Sequence, residues 1–231
     1  MALILSIETS TTVCSVALHE SKKLIAVIEI QQEYSHASKL ATLVHEAAKL
    51  ASIKLHQVNA IAVSSGPGSY TGLRIGTSLA KGLCYALDVP LIAVNTLALL
   101  AYKISNSETS NSFLCPMIDA RRMEVYCQLF DFNLDEKEPM MAKVIDEQSF
   151  ETYLDIKPVI FFGSGAEKCN QIIMHRNARF LSDIHPSAIQ LGEIAFKKYE
   201  KNKVENLMYF VPLYLKEFFV KKTVENLNEI N

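Results

Sequence analysis

One stretch narrows the possible folds more than any other. Ala60-Ile61-Ala62-Val63 reads as a buried strand and runs into the loop Ser64-Ser65-Gly66-Pro67-Gly68-Ser69. That loop opens a long helical stretch from about Tyr70 to Leu87, and Pro90 to Val94 follows as another apolar strand. A strand, a helix and a strand in this order form a βαβ unit, which must lie in a sheet with helices packed on it. Upstream, Leu3 to Ile7, Val13 to Leu18 and Leu24 to Ile30 are β-branched-rich runs parted by Thr/Ser and Glu-Ser-Lys-Lys turns. They read as an antiparallel meander. From His36 to Ala51 the apolar residues Leu40, Val44, Ala47 and Ala51 recur at three- and four-residue steps, opposite Lys39, Glu46 and Lys49. That is an amphipathic helix. Thr96 to Lys103 reads as a further one.

The only polar, low-complexity stretch is Ser105 to Ser112, and a domain boundary is placed there, giving 1–104 and 105–231. Beyond it, Phe113 to Ile118 and Glu124 to Phe130 read as paired strands around Ala120-Arg121-Arg122-Met123. Val144 to Ile145 is taken as a third strand, Ser149 to Leu154 as a short helix, and Val159 to Phe162 as a fourth strand stopped by Gly163-Ser164-Gly165. Pro186-Ser187 opens a helix to about Lys201, and the segment after Pro212 is expected to pack back on the first half. The order strand-strand-strand-helix-strand-helix-strand thus occurs once clearly and once loosely. It suggests an α/β chain of two ribonuclease H-like halves with mixed sheets flanked by helices. Two such halves facing a cleft make the actin-like ATPase fold, a step taken by fold-level analogy.

Composition removes several functions. The 231 residues carry 23 Lys+Arg against 25 Asp+Glu, a formal charge of −2, and 49% are hydrophobic. A large core is available, but the basic surplus of a protein that holds nucleic acid by itself is missing. The longest apolar stretches, such as Leu97 to Tyr102, fall far short of the roughly 20 residues that span a bilayer. No basic n-region precedes the early Glu8, so a cytoplasmic protein without membrane contact is expected. Five cysteines (14, 84, 115, 127 and 169) form no Cys-x-x-Cys pair and read as reduced, mostly buried thiols. The six histidines (19, 36, 45, 56, 175 and 185) include no His-x-x-x-His pair, so no metal site is expected.

Three places could carry chemistry. The first joins Gly66, Gly68 and Ser69, between a strand and a helix, where free backbone N–H groups can hold an anion; the alternative is a tight turn and nothing more. The second is Glu8-Thr9-Ser10 after the first strand, where an actin-like fold puts a phosphate loop. Asp119-Ala120-Arg121-Arg122 and Gly163-Ser164-Gly165-Ala166 are its counterparts in the second half. The third is the stripe Gly72, Gly76 and Ala80, four apart on one helix face. Each helix-interior glycine costs about 1 kcal/mol against alanine, so a close neighbour must compensate: either the protein's own helix or a helix of another chain. Between Lys197 and Lys222 stand seven lysines against three glutamates, a solvated face or a weak phosphate contact.

The stretch Ser65-Gly66-Pro67-Gly68-Ser69-Tyr70-Thr71-Gly72-Leu73-Arg74-Ile75-Gly76 with Ala80-Lys81-Gly82-Leu83 closely resembles the TsaB (YeaZ) family. Ile4-Leu5-Ser6-Ile7-Glu8-Thr9-Ser10, Asp119-Ala120-Arg121-Arg122-x-Glu124-Val125-Tyr126 and Pro212-x-Tyr214-Leu215 fit the same family, with Glu8 where Asp is common and Lys216 where Arg is usual. The resemblance implies a non-catalytic partner of the TsaD transferase, which makes N6-threonylcarbamoyladenosine (t6A) beside the tRNA anticodon. In TsaD an Asn-His-x-x-x-His segment holds the metal. Here Val94-Asn95-Thr96-Leu97-Ala98-Leu99-Leu100 puts Thr96 and Leu100 at the ligand positions. The resemblance therefore implies a scaffold subunit without metal or cofactor. It would pair with a TsaD homologue, join a TsaE-type ATPase in a larger complex, meet tRNA through that complex, and dimerise when alone. An ATP-dependent kinase or ATPase of the actin-like class, and a metallopeptidase, are the competing readings. Leu40, Val44 and Ala48 with Gly72, Gly76 and Ala80 are expected to form the partner interface.

Overall fold

The computed structural model describes residues 2–32, 36–106 and 111–216. In chain order it contains β1 (Leu3–Glu8), β2 (Val13–Glu20), β3 (Lys23–Gln31), α1 (His36–Leu50), β4 (Ala60–Gly66), α2 (Tyr70–Leu87), β5 (Leu91–Asn95) and α3 (Thr96–Ser105). The second half has β6 (Phe113–Asp119), β7 (Glu124–Phe130), β8 (Glu136–Val144), α4 (Glu151–Leu154), β9 (Val159–Phe162), α5 (Ala166–Cys169), β10 (Ala178–Leu181) and α6 (Ala188–Glu200). The sheets run β3-β2-β1-β4-β5 and β8-β7-β6-β9-β10, the same order twice. In each, the first strand pairs antiparallel with the second and parallel with the fourth. The duplication extends to the loops. Gly66 closes β4 at φ 102° and Gly163 follows β9 at φ 99°, backbone that residues with a Cβ rarely adopt.

Local chemistry sets the helix ends. Ser69 caps α2 by accepting from Gly72 N, and Asp88 ends it at φ 53° in the left-handed conformation. Asn95 caps α3, its Oδ1 accepting from Leu97 N and Ala98 N, and Ser187 caps α6.

The third strand of the second sheet is β8, ahead of the expected Val144 to Ile145. It is an edge strand carrying Glu136, Lys137, Glu138, Pro139 and Lys143, so its charges blunt the edge and hide the strand's alternation. Four-residue α5 and β10 are too short to leave a period in the sequence.

The division at 104/105 also needs correction, because each half lends its last helix to the centre. Leu97, Leu100, Ala101 and Ile104 of α3 pack with Leu114, Ile118, Phe130 and Phe162 of the second sheet. Leu191, Ala195 and Phe196 of α6 pack with Ile4, Ala62, Ile92 and Val94 of the first. The chain therefore returns to the first sheet at Ser187, well ahead of Pro212. Ala188 N donates to Ser15 Oγ (3.0 Å), and Ser187 Oγ donates to Glu29. An acidic group at a helix N-terminus complements the helix dipole. Further on, Glu205 N donates to Leu91 O and Leu213 N to Ser65 O, both at 2.8 Å, tying the following segment to the same sheet. Residues 107–110 of the expected boundary lie outside the described residues.

Candidate functional site

The β1–β2 turn and the β4–α2 loop, expected as separate phosphate loops, meet each other. Ser69 N donates to Ser10 O (2.7 Å), Gly72 N to Ser69 Oγ (3.2 Å), and Thr9 Oγ1 to Gly72 O (2.8 Å). A Cβ at Gly68 would lie 2.2 Å from Ser10 O, so the two loops touch backbone to backbone. Two of the amides at the start of α2, those of Ser69 and Gly72, are spent on protein oxygens.

Glu8 ends β1 and is fully buried. Its Oε1 accepts from Ser10 N (2.6 Å) and Ser10 Oγ (2.5 Å), while Oε2 has no hydrogen-bond partner, nor has the buried hydroxyl of Ser64. Burial raises the Glu8 carboxyl above its usual range, against the lowering effect of the Ser10 bonds and of the neighbouring Ser64 hydroxyl. An acid raised on folding adds stability below its unfolded pKa and loses it as pH rises through its folded pKa. Glu8→Gln keeps the acceptor for Ser10 and abolishes that loss. The variant should unfold at a higher temperature than wild type at pH 7, with the gap closing in acid. A midpoint below wild type at pH 7 would mean that Glu8 is held charged.

The second half builds the same junction with different chemistry. Asp119 N donates to Ser164 Oγ (3.2 Å) and Gly165 N to Met117 O (3.0 Å), so the two counterpart loops also meet. Here the carboxylate is half-exposed and paired with Lys168, which also donates to Arg122 O and Glu124 O, each at 2.7 Å. Lys216 pairs with Glu124. Of these, Lys168 escaped the sequence reading, because nothing in a lone lysine marks it as the neutraliser of Asp119, 49 residues away.

Thr96 and Leu100 are both buried. Leu100 faces the second lobe, its Cδ1 3.4 Å from where a Cβ on Gly163 would stand, so the position carries packing in place of a donor. Among the described residues no group of three or more His, Cys, Asp or Glu side chains could hold a metal ion. All five cysteines are free and buried, and burial pushes the Cys14 thiol up to about 11 and Cys84 to about 12.

His19, on β2 beneath α6, was not singled out by sequence. Neither ring nitrogen has a partner, and a Cβ on Gly192 would lie 2.1 Å from Nδ1, so α6 can cross here only because residue 192 is glycine. Burial lowers the imidazole to about 4. The unfolded chain, with an ordinary histidine near 6.5, then binds a proton that the folded one refuses. The stability is present above pH 6.5 and is lost as pH falls toward 4, by about 3 kcal/mol at the lower end. On acidification from pH 7 to 5 the thermal midpoint of wild type should fall relative to that of His19→Leu, and equal falls would mean that the folded ring keeps an ordinary histidine pKa.

The expected interface residues need a correction as well. Leu40, Val44, Ala48, Gly72, Gly76 and Ala80 are all buried inside this chain. A Cβ would lie 2.1 Å from Thr9 O at Gly72 and 2.2 Å from Thr9 Oγ1 at Gly76. The bare stripe admits the β1–β2 turn in place of the expected helix neighbour. The outward faces of the same helices are different residues: Ala37, Ala41 and His45 on α1, and Thr71, Arg74, Ser78, Gly82, Tyr85 and Ala86 on α2. The lysine-rich stretch is partly occupied. Lys198 Nζ donates to Ala93 O (2.5 Å) and Lys197 Nζ sits 4.5 Å from the Tyr102 ring centre, while Lys221 and Lys222 lie outside the described residues. No helix among the described residues is long and apolar enough to cross a membrane.

The comparisons agree with this architecture. Residues 25–223 match the family described as TsaD: tRNA N6-adenosine threonylcarbamoyltransferase. The tRNA threonylcarbamoyladenosine biosynthesis protein TsaB of Bacillus subtilis is 31% identical over 177 residues, 74% of each chain. YeaZ from Pseudomonas aeruginosa superposes with a TM-score of 0.80 at 26% identity, over 93% of this chain and all of that one. The activator of the 2-hydroxyisocaproyl-CoA dehydratase from Clostridium difficile, solved with bound ADPNP, shares the fold alone, with a TM-score of 0.50 at 9% identity over 89% of this chain and 98% of that one. With two mixed sheets of the actin-like ATPase fold and this degree of identity, the chain belongs to the TsaB (YeaZ) family of tRNA threonylcarbamoyladenosine biosynthesis proteins.

Proposed function

We propose that this protein is a non-catalytic subunit of t6A synthesis that binds and organises a TsaD-type transferase. The observation that carries the reading is the closed junction of the first lobe. Ser69 N and Gly72 N are satisfied within the chain, and Glu8 is sealed from solvent with one oxygen bonded twice by Ser10. A nucleotide kinase or ATPase needs free donors for phosphate and an accessible carboxylate for magnesium, and burial denies Glu8 that second role. A metallopeptidase needs donors that Thr96 and Leu100 do not supply.

What remains for the chain is a binding role, with the outward faces of α1 and α2 as the docking surface. They lie side by side and carry mostly small side chains, so a pair of partner helices can approach closely. The same surface would join two copies of this chain about a two-fold axis when the transferase is absent. A TsaE-type ATPase and tRNA would meet the assembly beyond this pair, in the cytoplasm.

The test is co-purification with the host's TsaD homologue, together with t6A measured by mass spectrometry of tRNA from cells depleted of this protein. The reading expects a stable complex, and t6A that falls on depletion and returns with the wild-type gene. A chain that fails to bind the transferase, or t6A that persists after depletion, would refute it.

A further inference from the structure

The β6–β7 turn displays two guanidinium groups at a backbone cost. Arg121 and Arg122 have φ of 67° and 49°, the only adjacent non-glycine pair in the left-handed region among the described residues. Side chains with a Cβ avoid this region, and Gly, Asn and Asp are the types suited to it. The turn is held there by its surroundings. Arg121 N donates to Asp119 Oδ1 (2.9 Å), Lys168 binds Asp119, Arg122 O and Glu124 O, and Lys216 binds Glu124 and reaches Ala120 O at 3.4 Å.

These contacts also settle the local charge. The two carboxylates that flank the turn in sequence, Asp119 and Glu124, are both taken up by lysines. Arg121 and Arg122 are exposed, and among the described residues neither guanidinium has a recorded hydrogen bond, ion pair or aromatic ring partner. The turn is thus a fixed mount for two unpaired forks in a protein whose overall charge is −2. Guanidinium forks match phosphate and carboxylate oxygens alike. The surroundings favour phosphate: the apolar residues of the tip are Ala120 and Met123, without the apolar centre of a protein interface, and backbone phosphates take most nucleic-acid contacts of this kind.

We propose that the Arg121–Arg122 turn is a phosphate-backbone contact for RNA, an inference that rests on the tRNA-modification reading above and supplies the chain's own share of tRNA binding. The test uses the full chain, alone and with the transferase bound, and a labelled tRNA transcript titrated by fluorescence anisotropy over a range of salt. Arg121→Gly with Arg122→Asn suits the turn's backbone, so its thermal midpoint should equal or exceed wild type. Its tRNA affinity at low salt should fall about tenfold, and the log–log salt slope should become shallower by about 1.8, two phosphates at 0.9 each. Lys22→Gln with Lys23→Gln removes the same charge from the exposed β2–β3 turn and should change affinity less than twofold.

An unchanged slope in the arginine variant, or equal weakening in the lysine control, overturns the proposal. So does a wild-type chain that binds no tRNA at low salt in either form. An arginine variant that loses the transferase while keeping tRNA would show that the turn meets an acidic protein surface instead. Wild-type binding to the transferase is read separately, so failure of the subunit reading shows there and failure of this inference shows in the slope.

Discussion

Gly72→Ala should lower the thermal midpoint of this protein by about 6–12 °C, with Gly76→Leu at least as damaging. At Gly72 the added Cβ would stand 2.1 Å from the carbonyl oxygen of Thr9, a backbone atom held in turn by the β1–β2 hairpin. Relief requires that α2 and the hairpin separate, which breaks the Thr9 Oγ1 to Gly72 O and Ser69 N to Ser10 O bonds together. Overpacking of this kind costs about 1–3 kcal/mol and two lost buried hydrogen bonds about 1 kcal/mol each, against about 1 kcal/mol regained in helix propensity. A net loss of about 3 kcal/mol corresponds to the stated shift in a domain of this size. Gly82 provides the internal control. It lies on the same helix with nothing within 4 Å of its Cβ position, so Gly82→Ala should raise stability by about 1 kcal/mol. Calorimetry of the two alanine variants should give opposite signs. Equal signs would mean that α2 sits elsewhere on the sheet.

These glycines also show where the sequence was readable. The helix from Tyr70 to Leu87, the β6–β7 pair and the first three strands follow from local patterns, because each element is long enough to repeat its period and ends at a cap or turn of its own. A stripe of small residues says that something comes close, and the stripe has no means of saying what. The answer lay in Thr9, on a hairpin more than 60 residues away. Similar reasons hid which sheet α6 covers. Its amphipathic pattern is plain, yet the sheet it covers is decided by His19 and Gly192, whose fit is visible only in three dimensions. Glu8 stands out in the sequence as an acid at the end of a strand, but its burial and one-sided bonding to Ser10 are set by the neighbouring loop and not by its own flanks. The Arg121–Arg122 backbone is likewise invisible in a sequence that has no glycine or asparagine in the turn.

Gly82→Arg should abolish transferase docking and self-association while leaving the fold intact, and it separates the two faces of α2 more sharply than any other change. Ser78, Gly82 and Ala86 follow one another at steps of four on the outward side, flanked by Tyr85, which is 85% exposed. Facing helices can approach this side to the short distances that small residues permit, and a standard interface of about 1,200–2,000 Å² needs such contact along two helices. An arginine at the centre of the face holds the partner off by the length of its side chain and forces desolvation of a charge with no counter-ion on α2. For the free protein the same substitution replaces an exposed helix-interior glycine with a better helix former, so its midpoint should hold or rise. Sedimentation, transferase pull-down and thermal unfolding of one preparation then give a joint result: monomer, no complex, stable fold. Gly82→Ala, which adds a single methyl group, should keep the complex and fix the steric threshold. If Gly82→Arg still binds the transferase, the docking surface is not the outward face of α2, and the partner must be sought on another surface of the molecule.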